Sequence, residues 1–175
     1  MADIPILTTE RLIVRGHRLA DFKAMAAMWA EPETVRYIAE GKPLAEDVVW
    51  ARLQRVAGSW PMLGYGFWAI EEGATGRVIG EIGFLERRWP AGGVSRPEAG
   101  WGLCTAARGR GYASEALKAV LAWGDQRFER TICVIAPDNL PSLKLAHAHG
   151  YVAAGPADWA GAQLVMLDRE RPAAR

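Results

Sequence analysis

The chain has 175 residues, a formal net charge of +1, 50% hydrophobic residues and 23% charged ones. That length suits one domain with an apolar core of its own. The near-neutral balance leaves no electrostatic footprint for nucleic acid or an anionic membrane, and no apolar run approaches the ~20 residues of a membrane helix. Met1-Ala2-Asp3-Ile4-Pro5 lacks a basic region leading into an apolar one, so no signal peptide is expected. Cys104 and Cys133 form no Cys-x-x-Cys pair and read as reduced thiols of a cytoplasmic protein. With no repeat, low-complexity tract or linker in view, residues 1–175 are expected to form a single domain.

Leu12 and Val14 alternate with polar residues and predict a first strand, with Ile6 a candidate for the same run. Ala20-Asp21 opens a helix whose Phe22, Met25, Ala26, Met28 and Trp29 mostly face the core, and Pro32 is expected to end it. A second helix is predicted from about Leu44 to Ala57, on the stripe Val48, Val49, Ala51, Leu53 and Val56. Gly58 to Gly66 holds Trp60, Pro61, Met62, Leu63 and Tyr65 and reads as irregular. Its aromatics either pack on the body of the protein or line a substrate cleft.

Phe67 to Glu71 is the second strand, Glu72 to Gly76 the turn, and Arg77 to Glu86 the third strand. Gly80 and Gly83 are poor strand formers and point to a bulge or a close backbone approach. Arg87 to Pro97 reads as a mobile loop, and Glu98 to Cys104 as strand four. A helix follows at once, with Ala113, Ala116, Leu117, Val120, Leu121, Gly124 and Phe128 at spacings of three and four. Thr131 to Ile135 is a β-branched run, hence a buried strand five. Asn139 precedes a short helix that Gly150 terminates. Tyr151–Ala153 and Gln163–Leu167 suggest two last strands. The sheet is therefore mixed: strands one to four meander, and a βαβ crossover joins four to five.

The chemistry gathers where strand four meets the long helix. Arg108-Gly109-Arg110-Gly111 lets backbone N–H groups turn toward one point beside a helix start, which is a site for phosphate. Two arginines add positive charge suited to a pyrophosphate or 3′-phosphate. A P-loop would need Gly-Lys-Ser/Thr, yet Gly111 is followed by Tyr112-Ala113. A dinucleotide fingerprint would need a third glycine where Ser114 stands.

Arg108-Gly109-Arg110-Gly111-Tyr112-Ala113 resembles the acetyl-CoA loop of the GNAT acyltransferases, Arg/Gln-x-x-Gly-x-Gly/Ala. Ser114-Glu115-Ala116-Leu117, the opening Thr9-Glu10-Arg11-Leu12-Ile13-Val14-Arg15, the third strand Val78-Ile79-Gly80-Glu81-Ile82-Gly83-Phe84, and Asn139-Leu140-Pro141-Ser142 with Gly150-Tyr151 are similar to the Rim-type branch, the ribosomal-protein N-terminal acetyltransferases. The resemblance covers roughly residues 8 to 168. It implies an α/β (α+β) fold: a mixed, mostly antiparallel sheet of about seven strands flanked by about four helices, with a splay between strands four and five. It also implies an acyl-CoA-dependent N-acyltransferase. Acetyl would pass from acetyl-CoA, the co-substrate, to a primary amine by direct attack. The acceptor would be a peptide or protein N-terminus or a small amine. No nucleic acid, membrane or metal takes part, and a homodimer is left open beside a monomer.

Residue by residue, the resemblance places the coenzyme on Leu103, Cys104, Thr105, Arg108, Gly109, Arg110, Gly111, Tyr112, Ala113, Ser114, Asn139 and Ser142. It puts a carboxylate that deprotonates the amine through water at Glu98, with Glu81 next and a solvated strand-end charge the alternative for Glu98. The polarising group would be a backbone N–H near Leu103, where Gly100 and Gly102 let strand four bulge. Asn139 is either a helix cap or a coenzyme contact, or both. One departure stands out: the family's tyrosine that protonates the leaving sulfur is replaced by Ala146, which leaves Ser142, water, Tyr112 or Tyr151. That departure keeps open an acyl-CoA-binding module with weakened catalysis. Glu115 is expected to cap or orient the loop, with Lys118 and Arg108 as partners. His17, His147 and His149 read as structural or surface residues.

Overall fold

The computed structural model describes residues 4–38, 41–86, 96–159 and 161–173. Its strands are β1 (Leu7–Thr8), β2 (Leu12–Arg15), β3 (Phe67–Glu72), β4 (Arg77–Glu86), β5 (Pro97–Leu103), β6 (Arg130–Ile135), β7 (Val152–Trp159) and β8 (Ala162–Glu170). They form one mixed sheet in the order β1-β2-β3-β4-β5-β6-β8-β7. The helices are α1 (Phe22–Trp29), α2 (Pro32–Val35), α3 (Glu46–Leu63), α4 (Tyr112–Gly124) and α5 (Leu140–Ala148). The chain divides into two compact units: Met1–Gly83 with Trp101–Val120, and Phe84–Gly100 with Leu121–Arg175.

In the first unit the expected opening strand is two strands. A tight turn, in which the Thr9 N–H donates to the Leu12 carbonyl at 2.9 Å, folds β1 back on β2. This turn accounts for eight strands where seven were expected. β2, β3 and β4 then pair antiparallel, with a bulge between Ile70 and Glu71. Pro32 does not simply stop a helix. α1 ends at Trp29, and Pro32 starts the short α2 at a position where its missing N–H has no intrahelical partner to lose.

The second helix runs farther than its predicted end near Ala57. The apolar stripe Val49, Leu53, Val56 continues to Trp60, so α3 reaches Leu63 with Pro61 inside it. A proline in a helix interior costs about 3 kcal/mol. Burying an indole of roughly 200 Å² returns about 5 kcal/mol at 25 cal/mol per Å². Trp60 is buried, meets Trp68 edge-on at 4.5 Å, and donates its indole N–H to the Phe67 carbonyl at 3.0 Å. Packing therefore outweighs the local proline cost. Of the two readings of that segment's aromatics, Trp60 takes the packed one.

Gly80 is a point of close approach, as expected of a glycine in mid-strand. A Cβ there would lie 2.2 Å from the Gly102 carbonyl oxygen and 2.6 Å from Leu103 Cδ2. Gly83 is equally tight, 2.2 Å from the Gly66 oxygen.

In the second unit β5 and β6 pair parallel at the register Glu98↔Ile132, while β6 and β8 run antiparallel through six pairs from Arg130↔Glu170 to Ile135↔Val165. β7 pairs antiparallel with β8, and both are longer than expected. β7 is the last strand of the sheet, which is where Pro156 is tolerated. α5 closes in a Schellman motif: Gly150 at φ +85° gives its N–H to His147, and the Tyr151 N–H bonds the Ala146 carbonyl. Of the loop expected over Arg87 to Pro97, residues 87–95 lie outside the described residues, and its last residue, Pro97, instead opens β5.

Candidate active site

The first unit carries the glycine loop. β5 ends at Leu103, one 3-10 turn spans Thr105–Ala107, and α4 begins at Tyr112. Gly109 and Gly111 sit at φ +73° and +80°, a left-handed backbone that costs other residues about 1–2 kcal/mol. The first-turn N–H groups of α4 lie outside the intrahelical ladder, and the helix dipole places positive charge there. The loop is thus shaped for an anion by its backbone.

Its arginines are engaged with the protein. Arg108 is turned back onto the protein. Its guanidinium donates to the Leu103 carbonyl at 3.1 and 3.0 Å, to the Glu33 carbonyl at 3.1 Å and to Thr34 Oγ1 at 2.9 Å. Nearby, Glu31 Oε2 accepts from the Thr105 N–H and hydroxyl, both at 2.7 Å, and from the Thr34 hydroxyl at 3.0 Å. Burial pushes the Glu31 carboxyl up, but these bonds outweigh it and hold it below the usual range. Arg110 reaches Glu72 at 3.2 Å and lies over the Tyr112 ring at 4.7 Å. Arg11 stacks on the same ring at 4.6 Å. These groups border a cavity of about 500 Å³ lined by Arg11, Glu72, Thr75, Arg77, Arg110 and Tyr112.

Glu115 does orient this region, but its partners differ from the expected Lys118 and Arg108. It accepts from the Thr9 hydroxyl at 2.6 Å, the Arg11 N–H at 2.9 Å and Arg11 Nε at 2.7 Å. A first-turn carboxylate reaches back past the helix start, so the opening of β2 captures it rather than the next turn of α4. Tyr112 is buried and donates its hydroxyl to Glu72 Oε1 at 2.7 Å. That bond, with Thr75, lowers the Glu72 carboxyl to about 2 and raises the Tyr112 phenol.

Leu103 is buried and Cys104 is partly exposed, with its N–H spent on the Ile79 carbonyl at 2.9 Å. Thr105 is held by Glu31, and Ala113 and Ser114 lie in the first turn of α4. Glu81, on β4, is 1% exposed. Its Oε1 accepts from Arg52 Nε at 3.0 Å and also from the terminal Nη2. Arg52 lies 4.4 Å over the Trp29 ring. His17 Nε2 stands 3.8 Å from Glu81 Oε2. Sequence reasoning missed Arg52 altogether. Its signal was position: it falls three residues after Val49 and four before Val56, at the margin of the buried stripe of α3.

In the second unit Glu98 is buried on β5 opposite Ile132, and its charge adds to burial in raising the Cys133 thiol. Asn139 caps α5, its side-chain oxygen accepting the Ser142 N–H at 3.3 Å, so the cap reading holds and fixes Ser142 beside it. Ala146 is fully buried. Tyr151 shares a 2.8 Å hydroxyl bond with Thr131, and burial raises its phenol. His147 Nδ1 lies 3.0 Å from the Tyr151 carbonyl, and the His149 carbonyl accepts from Arg169. Neither histidine belongs to a metal cluster among the described residues.

The acetyltransferase (GNAT) domain family model matches residues 11–152. The chain belongs to the GNAT acetyltransferase family. It is similar to the uncharacterized N-acetyltransferase p20 of Bacillus licheniformis, 26% identical over 152 residues, covering 81% of this chain and 79% of that protein. It is also similar to a GnaT-family acetyltransferase from Bordetella pertussis: 34% identity, TM-score 0.82, 94% of this chain and 99% of that one. RimL, a ribosomal L7/L12 alpha-N-protein acetyltransferase solved in complex with coenzyme A, shares the fold at 15% identity and TM-score 0.77, over 95% and 98% of the two chains. The chain is therefore an N-acetyltransferase with acetyl-CoA as co-substrate. No helix among the described residues is long and apolar enough to cross a membrane.

Proposed function

We propose that this single-domain, cytoplasmic enzyme acetylates α-amino groups, of a peptide N-terminus or a small amine, by direct attack on the thioester. The observation that carries the coenzyme half is the pair of left-handed glycines, Gly109 and Gly111, opening the 13-residue helix α4. There the diphosphate is held by backbone N–H groups from Gly109 to Ala113, while the Arg108 N–H is spent on the Thr105 carbonyl and its side chain braces Leu103 and α2.

The acceptor class follows from proton chemistry. An α-amino group titrates near 8 and a lysine near 10.4, so at pH 7 roughly 10% of the first but under 0.1% of the second is nucleophilic. Among the candidate groups described in the two units, none is a strong permanent base. Glu98 attracts the ammonium, because a carboxylate beside a cation has its own proton affinity lowered and is a poor direct acceptor. Glu81 is buried and held by Arg52.

The test is thiol release from acetyl-CoA against a panel of alanine- and serine-started peptides, small primary amines and Nε-free lysine peptides with blocked N-termini. Turnover on α-amines at least tenfold above the blocked lysine peptides supports the reading. Equal turnover, or release only with lysine peptides, refutes it. Retention of coenzyme with no thiol release from any amine would favour the weakened acyl-CoA-binding module.

A further inference from the structure

The cavity beside the glycine loop opens to solvent, and its walls carry more donors than the protein uses. It holds about 500 Å³, within the roughly 300–1,000 Å³ of small-molecule sites. Arg110 and Tyr112 line the cavity and also belong to the loop and the start of α4. Arg11 closes the space against the loop: a Cβ at Gly111 would lie 3.4 Å from its Nη2. Arg11 itself is spent. Its Nε and Nη2 meet Glu115 at 2.7 and 2.6 Å, and its Nη1 donates to the Arg110 carbonyl at 2.9 Å.

Arg77 and Arg110 are different. Arg77 Nη2 reaches Glu72 Oε2 at 3.4 Å, and Arg110 Nη1 stands 3.2 Å from Glu72 Oε1. Both contacts are longer than the roughly 2.7–2.9 Å of a close charged pair. The remaining guanidinium N–H groups of the two have no hydrogen-bond partner among the described residues. Their side chains are 70% and 51% exposed, so a solute reaches them directly. Glu72 does not depend on them. It accepts from the Tyr112 and Thr75 hydroxyls, both at 2.7 Å. Both arginines can therefore turn toward an outside anion without leaving a buried carboxylate unpartnered. Three arginines against Glu10 and Glu72 give the lining a net positive charge.

We propose that this cavity takes the ribose 3′-phosphate of the coenzyme, with Arg77 and Arg110 as the pair that reads it. The inference rests on the coenzyme reading of the glycine loop above. The loop's N–H groups address a diphosphate, which coenzyme A shares with its 3′-dephospho form. The two arginines address the monoester that distinguishes them. A phosphate monoester carries about −1.5 to −2 charge at pH 7 and three acceptor oxygens, and a guanidinium meets it with two parallel N–H groups. The 3′-phosphate hangs one ribose from the diphosphate, so its site must adjoin the loop, and this cavity does so through Arg110 and Tyr112.

The backbone that carries Arg77 is fixed. It opens β4 across a turn in which the Glu72 carbonyl accepts from the Thr75 and Gly76 N–H groups at 3.1 and 2.8 Å. The Gly73 N–H bonds the Arg11 carbonyl at 2.9 Å, which ties the same turn to the start of β2. Only the arginine side chains need move. If Arg77 and Arg110 served Glu72 alone, they would be exposed ion pairs of little worth to stability, and the protein would bind both forms of the coenzyme alike.

Calorimetric titration of the whole chain with coenzyme A and with 3′-dephospho-coenzyme A tests this without turnover. The wild type should bind coenzyme A at least tenfold more tightly. Arg77→Gln should cut that ratio below about threefold by weakening coenzyme A alone, with the dephospho form bound as in the wild type. Arg110→Gln should lower the ratio too. Lys23→Gln removes the same charge from α1, outside the cavity lining, and should leave the ratio as it is. A wild-type ratio near one with both forms bound overturns the proposal, leaves the glycine-loop reading standing, and needs no variant to fold. A folded Arg77→Gln or Arg110→Gln protein that keeps the wild-type ratio also overturns it. So does an Arg77→Gln protein that loses both ligands alike, or a Lys23→Gln protein whose ratio falls as far. If neither form binds the wild type, the coenzyme reading of the loop fails and the proposal with it.

Discussion

Gly80→Ala isolates the contact that places the end of β5. The added methyl would sit 2.2 Å from the Gly102 carbonyl oxygen and 3.1 Å from Leu103 Cα, both backbone atoms. Ordinary contact begins near 3.4 Å, so the strands must separate by about 1.2 Å. A shift of that size breaks the 2.9 Å bond from the Cys104 N–H to Ile79 and loosens the Arg108 fork on the Leu103 carbonyl. Overpacking costs about 1–3 kcal/mol and each lost bond about 1 kcal/mol, giving about 2–4 kcal/mol in all. For a chain of this length that is roughly 4–16 °C in Tm. Acetyl-CoA affinity should fall with it, because Leu103 leads directly into the glycine loop. Gly102→Ala is the control on the facing strand: no atom lies within 4 Å of its Cβ, and its φ is not in the left-handed range. It should change stability by less than about 1 kcal/mol and leave affinity unchanged. Thermal unfolding and calorimetric titration of both variants decide the matter. Equal stability of the two would refute the claim that a close backbone approach at Gly80 positions this strand.

Gly111→Val forces a β-branched residue to φ +80°, and calorimetry should show acetyl-CoA affinity down at least tenfold with the secondary structure kept. Glu98→Gln should raise the amine KM at least tenfold while the pH inflection stays in place, because its part is attraction of the cation; a shifted inflection would make it a proton acceptor instead. Tyr112→Phe removes the largest cause of the depressed Glu72 carboxyl. A depressed carboxylate stabilises the fold above its unfolded value near 4.5 and loses that contribution as pH falls toward about 2. The variant's acid-unfolding midpoint should therefore move to higher pH, read by circular dichroism, and no movement would count against the Tyr112–Glu72 bond.

The β5–loop–α4–β6 core was legible because its signals are local. Gly109 and Gly111 need left-handed backbone, and Ala116, Leu117, Val120 and Leu121 mark one buried face of α4. Asn139 and Gly150 bracket α5 by cap chemistry that a few residues determine. Where the reading fell short, distant residues decide. Pro61 says that the helix stops, and only the packing of Trp60 on Trp68 says otherwise. Arg108 looks like free positive charge beside a phosphate loop, until α2 brings Glu33 and Thr34 to its fork. His17, Arg52 and Glu81 stand 35 and 29 positions apart in sequence. No period or motif joins them, so the cluster exists only once β2, α3 and β4 are folded together.

The alanine at 146 bears on which proton transfer this enzyme must assist. Both tyrosines that were candidates to replace the missing hydroxyl are committed, Tyr112 to Glu72 and Tyr151 to Thr131. Burial or the carboxylate contact raises both phenols, so neither gives up its proton readily. Ala146 itself is fully buried beneath the α5 cap, where the Tyr151 N–H bonds its carbonyl. The leaving sulfur can manage without a dedicated acid. An alkyl thiol titrates near 8.5, so releasing it unprotonated at pH 7 costs only about 2 kcal/mol, and the proton shed by the acylated nitrogen can repay that within the same collapse. The ammonium has no such internal donor-acceptor exchange: its first proton must leave before any bond can form. An enzyme lacking the acid therefore concentrates its demand on a proton acceptor at the amine.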